Sequence, residues 1–249
     1  MSETAEPDAT DAGIAARPIG LEARKTLERK LRNGFIDRYL SGPAILDIGY
    51  KGYEQDVVPI LPHAIGIDLD YPGYDGHRLP FADASQDAVF SSHCLEHIAD
   101  YRQALAEWFR VLKPGGHLVI VVPHQFLYEK RTGLPSRWNE DHKRFYTPAS
   151  LMAEIEATLL PNSYRLRHLA DNDFGYDYGV GPEQHAGGCY ELELVIQKIQ
   201  PPAWGLVAPP ARAAEHAAAS RAGRIPPALR RRIGRWLPGP VKSVLRRIL

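Results

Sequence analysis

The chain has 249 residues, of which 44% are hydrophobic and 24% charged, and its formal net charge is zero. This length suits one substantial α/β domain with appendages and leaves little room for a second catalytic domain. No apolar run approaches the roughly 20 residues that cross a bilayer, so the composition is typical of a soluble protein. The only cysteines, Cys94 and Cys189, fit neither a disulfide framework nor a metal knuckle and predict a reducing, cytoplasmic compartment.

Three regions differ in composition. Residues 1–18 are rich in Ala, Asp and Glu and lack the basic and apolar segments of a secretory signal, so we expect a disordered leader. Residues 19–200 carry the pattern of one folded domain. Residues 201–249 begin with two prolines, and from position 204 they hold ten Lys and Arg against the single Glu215. This shift predicts a linker and a basic tail.

Periodic apolar residues predict the secondary structure. A four-residue repeat from Leu27 to Tyr39 predicts one amphipathic helix over 21–40, and further helices are expected around 105–112 and at 148–160. Strands are expected at 44–48, 64–68, 87–92, 117–122, 164–169 and 190–198. This alternation predicts an α/β fold: a Rossmann-like doubly wound, mostly parallel sheet with helices on both faces and an antiparallel last strand.

The carboxyl ends of the first two strands carry residues suited to a nucleoside. In a doubly wound sheet the ligand lies outside these ends, near the point where strand order reverses. Residues 47–53 read Asp-Ile-Gly-Tyr-Lys-Gly-Tyr, and a glycine there lets the backbone approach a ligand closely. Asp68 ends the second strand, where a carboxylate can accept two hydrogen bonds from a ribose diol. A structural strand-turn-helix is the alternative interpretation.

Three further segments, at 79–89, 95–98 and 110–116, read Leu-Pro-Phe-Ala-Asp-Ala-Ser-Gln-Asp-Ala-Val, Leu-Glu-His-Ile and Arg-Val-Leu-Lys-Pro-Gly-Gly. In content, order and spacing they resemble the class I S-adenosylmethionine-dependent methyltransferases, and the resemblance extends from about 44 to 199. It implies S-adenosyl-L-methionine as the cofactor and a methyltransferase activity. Cofactor contacts are then expected at Asp47, Gly49, Tyr50, Gly52, Asp68, Leu69, Asp75 and His93.

Two departures from the family pattern affect this site. Lys51 and Tyr53 occupy the second and third glycine positions of the family's D-x-G-x-G-x-G loop, which puts the loop geometry in question. Only six residues separate Asp68 from Asp75, so we expect the usual helix between the second and third strands to be missing. Asp75 is equally well explained as a turn residue.

Histidines and carboxylates follow the third strand and recur in the insert at 123–147. We predict His142 as the proton acceptor, with His97 as the other candidate and Asp141 beside His142. No metal is assigned, but residues 93–97 resemble the ubiquinone-pathway O-methyltransferases. That resemblance implies a metal held by His93, Glu96 and His97, and a helix start without metal is the alternative.

The acceptor is predicted from weaker features. Three features together favour O-methylation of a sugar hydroxyl in a lipid-linked or surface polysaccharide. They are the Asp-His-Lys-Arg-Phe-Tyr-Thr insert, the Asp- and Tyr-rich loop at 171–178 and the basic tail. The alternatives are a small-molecule O-methyltransferase of the quinone or natural-product type and a catalytically silent S-adenosylmethionine-binding scaffold. A nicotinamide-dependent Rossmann enzyme is a further alternative, and the absence of G-x-G-x-x-G counts against it.

The tail at 225–249 has the pattern of two short basic amphipathic helices. Such helices bind anionic membrane surfaces, so we expect a cytoplasmic protein with peripheral attachment to the inner face of the membrane. Docking onto the protein's own core or onto a partner is the alternative. Nucleic acid is an unlikely partner, because no recognition fold accompanies the basic residues.

Overall fold

The computed structural model describes residues 11–205 and residue 207. A unit boundary falls between Pro202 and Ala203, and the sheet lies in the first unit. Its strands are β1 (Ile45–Ile48), β2 (Ile65–Ile67), β3 (Gln86–Ser92), β4 (Leu112–Pro123), β5 (Tyr164–Asn172) and β6 (Glu191–Lys198). The α-helices are α1 (Asp11–Ala15), α2 (Leu21–Arg32), α3 (Phe35–Tyr39), α4 (Tyr101–Val111) and α5 (Pro148–Thr158). A 3₁₀ turn spans Leu95–His97, and a π-helical turn spans Gln125–Glu129.

The six strands form one sheet in the order β2-β1-β3-β4-β6-β5. The pairings among β2, β1, β3 and β4 are parallel, and β6 runs antiparallel to both of its neighbours. The predicted fold class is therefore confirmed, including the antiparallel last strand. Residues 49–64 and 68–85, which join β1 to β2 and β2 to β3, contain no helix. The prediction that no helix lies between the second and third strands is therefore confirmed, and none lies between the first and second strands either.

Two apolar cores cover the faces of the sheet. Successive side chains of a strand point to opposite faces, and β3 shows this, since Phe90 joins one core and Val89 the other. Helices α2 and α3 close the first core, and α4 and α5 close the second. The polar residues at the strand ends are thereby held on a rigid, buried support.

The predicted helix over 21–40 is wrong as a single element. Gly34 has φ +71°, in the left-handed region, and this conformation ends the hydrogen-bond ladder of α2. Helix α3 starts at the next residue, so Phe35 and Tyr39 stay buried although they belong to a separate helix. The four-residue repeat reports the buried face and does not detect the break.

The predicted leader of residues 1–18 is partly ordered. Residues 11–15 form α1, and Ile14 and Ala15 pack against the core closed by α2 and α3. The expectation of disorder is therefore wrong for this stretch, because two apolar side chains gain burial that the overall Ala, Asp and Glu composition hides. Residues 1–10 and the predicted tail of 225–249 lie outside the described residues. None of the described helices is long and apolar enough to cross a membrane.

Replacing Trp108 with Ala tests the buried face of α4. Trp108 is 1% exposed, and removing such a side chain costs about 3–5 kcal/mol through lost burial and the cavity left behind. Its neighbour Phe109 is only partly buried, so Phe109→Ala should lower the free energy of unfolding by less than about half as much. Urea unfolding of both variants measures this, and equal losses would contradict the assigned orientation of α4.

Candidate active site

A cavity of about 760 Å³ opens at the carboxyl ends of β1, β2 and β3. The chain runs from β1 to β2 on one side and then to β3 on the other, so strand order reverses between β1 and β3. This is the position at which open α/β sheets bind ligands. The loop after β1, the end of β2, the turn after β3, the 123–147 insert and the start of α2 all contribute lining residues.

The exit of β1 combines a buried carboxylate with a glycine. Asp47 is 4% exposed, and its Oδ2 accepts a hydrogen bond from the Ile60 N–H at 2.6 Å. Burial raises the pKa of Asp47 to about 7. Gly49 has φ +74°, and a Cβ at that position would lie 2.5 Å from Cys94 Sγ. The loop can lie this close to the turn after β3 because position 49 has no side chain.

The two departures in the glycine loop have structural roles. Lys51 forms an ion pair with Asp70 in the connection after β2. Tyr53 donates its hydroxyl hydrogen bond to Asp141 Oδ2 at 2.6 Å, which joins the loop to the insert. Neither Lys51 nor Tyr53 adopts positive φ, so their side chains cause no backbone strain. The loop therefore forms without the family's second and third glycines.

Of the two carboxylates that we predict as cofactor contacts after β2, one lines the cavity. Asp68 lines the cavity and accepts a hydrogen bond from the Leu69 N–H at 2.8 Å. Asp75 does not line the cavity; its Oδ1 accepts from the N–H groups of His77 and Arg78 at 2.9 and 2.7 Å. Asp75 thus fits the turn interpretation, because its carboxylate is used within its own turn.

His93 follows β3 in a left-handed conformation with φ +49°, and it lines the cavity. Its Nε2 lies 3.3 Å from Glu191 Oε1 and 3.8 Å from Glu22 Oε2, and its Nδ1 lies 3.8 Å from Glu96 Oε1. Burial alone lowers the pKa of His93, but these three carboxylates outweigh it and raise that pKa. Glu22 and Glu191 come from distant α2 and β6, so sequence reasoning missed both.

Glu96 lies at the centre of a histidine cluster. It is 1% exposed, and neither of its carboxylate oxygens has a hydrogen-bond partner among the described residues. Its Oε1 lies 3.8 Å from His97 Nε2 and 4.0 Å from His142 Nε2. Burial raises the pKa of Glu96 and lowers the pKa of His97 to about 4. The cluster therefore holds an unsatisfied acceptor next to two ring nitrogens.

The carboxylate that orients His142 is Glu129. His142 Nδ1 lies 2.6 Å from Glu129 Oε1, and Glu129 Oε2 accepts from Ser136 Oγ at 2.7 Å. Asp141, the sequence neighbour, bonds to Tyr53 instead. The π-helical turn brings Glu129 to His142 across 13 residues, and no local pattern in the sequence signals this pairing.

The insert is fixed to the turn after β3. The Lys143 N–H donates to the Glu96 carbonyl at 2.9 Å. The Arg144 guanidinium donates to the carbonyls of Leu95, Ile98 and Ala99 and stacks over the Tyr101 ring. These bonds hold His142 beside Glu96. The loop at 171–178, which was considered for ligand binding, contributes no residue to the cavity lining.

Comparison with known proteins agrees with this geometry. Residues 60–120 match a family described as "Methyltransferase domain". Over 175 residues, 62% of this chain and 64% of the relative, the chain is 30% identical to a probable S-adenosylmethionine-dependent methyltransferase of Mycolicibacterium smegmatis. The chain is therefore similar to class I S-adenosylmethionine-dependent methyltransferases, as its sequence motifs indicate. These similarities favour a methyltransferase over the nicotinamide-dependent alternative.

Other similarities are shorter or more distant. Over 53 residues, 21% of this chain and 22% of the relative, the chain is 49% identical to a demethylmenaquinone methyltransferase of Renibacterium salmoninarum. The chain thus spans less than two thirds of the length of either curated relative. A solved SAM-dependent methyltransferase from Aquifex aeolicus aligns with 77% of this chain and 100% of its own, at 14% identity and a TM-score of 0.45.

The cavity gathers most of the residues predicted for the methyltransferase site. Those that line it are Asp47, Gly49, Tyr50, Gly52, Asp68, Leu69, His93, His97, Asp141 and His142. Asp75 is the exception. Their shared location leaves their individual roles as predictions.

Two glycines in the loop after β1 give a matched test of the close contact. Gly49→Ala places a methyl group against Cys94 and should both unfold at lower temperature and bind S-adenosylhomocysteine more weakly. Gly52 also has positive φ, but a Cβ there meets nothing within 4 Å, so Gly52→Ala should cost only about 1 kcal/mol of conformational strain. Calorimetry and thermal unfolding compare the two, and equal effects would rule out the contact as the cause.

The buried Asp47 should make stability depend on pH. Its pKa is raised in the folded state to about 7, so the folded protein binds more protons than the unfolded chain between about pH 4 and 7. Stability from this group is therefore lost as pH rises across that range, by a few kcal/mol on the order of magnitude. Asp47→Asn should remove this dependence in cofactor-free protein. A decline of the same slope in the variant would show that Asp47 is not its source.

Proposed function

We propose that this protein transfers the methyl group of S-adenosylmethionine to a hydroxyl oxygen of a sugar in a lipid-linked or surface polysaccharide. The observation that carries the proposal is the cavity itself. The strand exits at Gly49 and Asp68 line it together with hydrogen-bonding side chains and tyrosine rings. A nucleoside cofactor and a polar acceptor can therefore meet beside the turn after β3.

The strand exits suit the cofactor. Gly49 permits close backbone approach, and Asp68 offers a carboxylate to a ribose diol. Because the methyl group of the cofactor is already activated by its positive sulfur, the protein has mainly to align it with the acceptor oxygen and exclude competing positions. The hydrogen bond from Tyr53 to Asp141 joins the loop after β1 to the insert. This connection favours a fixed alignment of the two reactants in the cavity.

The polar and aromatic side chains that line the cavity suit a polyhydroxylated acceptor. Glu22, Asn139, Asp141 and Lys143 offer it carboxylate, amide and ammonium groups. Tyr128 and Tyr190 offer flat ring surfaces, with ring centroids 4.8 Å apart. Sugars present hydroxyl groups at their edges and C–H groups on their faces, so this mixture complements both.

A quinone or natural-product acceptor is the second candidate. The similarity to a protein named demethylmenaquinone methyltransferase supports it. A quinone ring needs a mainly apolar pocket, and most of the surface that lines this cavity is apolar, so the cavity also suits such an acceptor. We favour the sugar because carboxylate, amide and ammonium groups also line the cavity and can bind its hydroxyl groups. A silent scaffold stays the third candidate until cofactor turnover is measured.

The cellular setting belongs to the same proposal. The basic residues at 225–249 would bring a cytoplasmic enzyme to an anionic membrane surface, where each Lys or Arg contributes about 1 kcal/mol. A lipid-linked glycan is made available at that surface. Nucleic acid is not proposed as a partner.

Incubation with methyl-labelled cofactor tests the acceptor class. Separate lipid-linked glycan, polysaccharide, quinone, protein and nucleic-acid fractions are offered to the full chain, and label is expected in a glycan fraction. His142→Ala should bind S-adenosylhomocysteine with unchanged affinity but transfer no label, because His142 lines the cavity and is the predicted proton acceptor.

Each other outcome excludes a part of the proposal. Label confined to the quinone fraction would establish the second candidate, and label in protein or nucleic acid would refute both. If calorimetry detected no binding of S-adenosylhomocysteine, the enzyme assignment would fail. The S-adenosylmethionine-binding scaffold would fail with it, because both need the cofactor to bind.

A further inference from the structure

We propose that Glu96, His97 and His142 bind one divalent transition-metal ion beside the cavity, which His97 and His142 line. The three residues can each bring one ligand atom to within 4.8 Å of the other two. This set differs from the one expected from sequence, since it includes His142 from the insert and leaves out His93. The inference concerns binding alone and does not depend on the acceptor proposed above.

The unsatisfied carboxylate of Glu96 is the first support. A buried carboxylate without a partner costs several kcal/mol, yet both oxygens of Glu96 lack a hydrogen bond among the described residues and the side chain is 1% exposed. Protonation would not remove the deficit at these positions, because the nearest acceptors, His97 Nε2 and His142 Nε2, lie 3.8 and 4.0 Å from Oε1, beyond hydrogen-bond distance. A cation placed beside Oε1 satisfies the group directly.

The position of the His142 ring is the second support. Glu129 Oε1 lies 2.6 Å from Nδ1, so Nε2 is the ring nitrogen left for another partner. This Nε2 lies 4.0 Å from Glu96 Oε1. A metal ion can therefore bind both atoms at once while Glu129 holds the other ring nitrogen.

The spacing of the ligand atoms is the third support. Nitrogen and oxygen ligands about 2.0–2.1 Å from a tetrahedral zinc ion lie roughly 3.3 Å apart. The observed separations from Glu96 Oε1 to His97 Nε2 and to His142 Nε2 are 3.8 and 4.0 Å, so these two pairs would contract by roughly 0.5–0.7 Å. The ligand atoms of all three residues lie within 4.8 Å of one another. Three protein ligands leave a position open toward the cavity that both histidines line.

Glu129 completes the site as a positioning residue. It is 1% exposed, bonds to His142 Nδ1 and is itself held by Ser136. A carboxylate behind a ligating histidine fixes the ring and makes its free nitrogen a better ligand. Two imidazoles with one carboxylate favour zinc, cobalt or iron over magnesium or calcium.

A second group, Glu22, His93 and Glu191, also meets the spacing for a metal, but its acceptors already have partners. Glu22 pairs with Lys25 at 2.5 Å, and Glu191 accepts from Asn172 Nδ2 at 2.6 Å. The Lys25 ammonium supplies a positive charge beside this group. It therefore gives a natural control for the proposed site.

Metal titration of the full chain tests the proposal after chelator treatment. Calorimetry with Zn²⁺ and visible absorption with Co²⁺ should each show one saturable equivalent. Glu96→Gln should weaken binding by more than about 100-fold, and Glu129→Gln by about 10- to 100-fold, because it loses only the orientation of His142. His93→Ala, the control from the second group, should stay within about threefold of the unmodified protein.

Thermal unfolding separates loss of the site from loss of the fold. Without metal, Glu96→Gln should melt at or above the temperature of the unmodified protein, because it removes an unpaired buried charge. Added Zn²⁺ should raise the melting temperature of the unmodified protein and not that of Glu96→Gln. Absence of saturable binding would overturn the proposal, as would binding that survives Glu96→Gln but is lost in His93→Ala. Neither measurement involves methyl transfer, so failure here leaves the enzyme assignment untouched.

Discussion

The backbone at Gly49 lies against Cys94 so closely that a Cβ would come within 2.5 Å of its sulfur. This contact joins the exit of β1 to the turn after β3, at the point where strand order reverses. The carboxylates Asp47 and Asp68 and the histidines of the turn then share one cavity. A side chain at position 49 would push the exit of β1 away from the turn after β3.

A second constraint is the concentration of buried carboxylates around imidazole rings. Glu96, Glu129 and Glu191 are each no more than 1% exposed, and each lies within 4 Å of a ring nitrogen. Burying so many acids is costly unless each is paired. Glu129 and Glu191 have hydrogen-bond partners, whereas Glu96 has none in the part of the chain that the structure describes, and this difference singles out Glu96.

The insert at 123–147 converts a general fold into a particular site. Arg144 fastens it to three carbonyls of the turn after β3, and Tyr53 ties it to the loop after β1. Tyr53, one of the two residues that break the family's glycine pattern, therefore joins the loop to the insert, while Lys51 pairs with Asp70 after β2.

The sequence by itself determined the sheet, the order of its elements and most of the predicted residues that line the cavity, because buried strands and short motifs are local in the chain. It overextended the first helix, since a repeat of apolar residues does not register the left-handed Gly34. It also included Asp75 among the cofactor contacts, whereas the carboxylate of Asp75 accepts hydrogen bonds within its own turn. Only the tertiary structure decided that Glu129 orients His142, that Glu22 and Glu191 surround His93, and that Glu96 has no hydrogen-bond partner among the described residues. Those facts depend on side chains brought together from distant segments, and packing alone settles which of them meet.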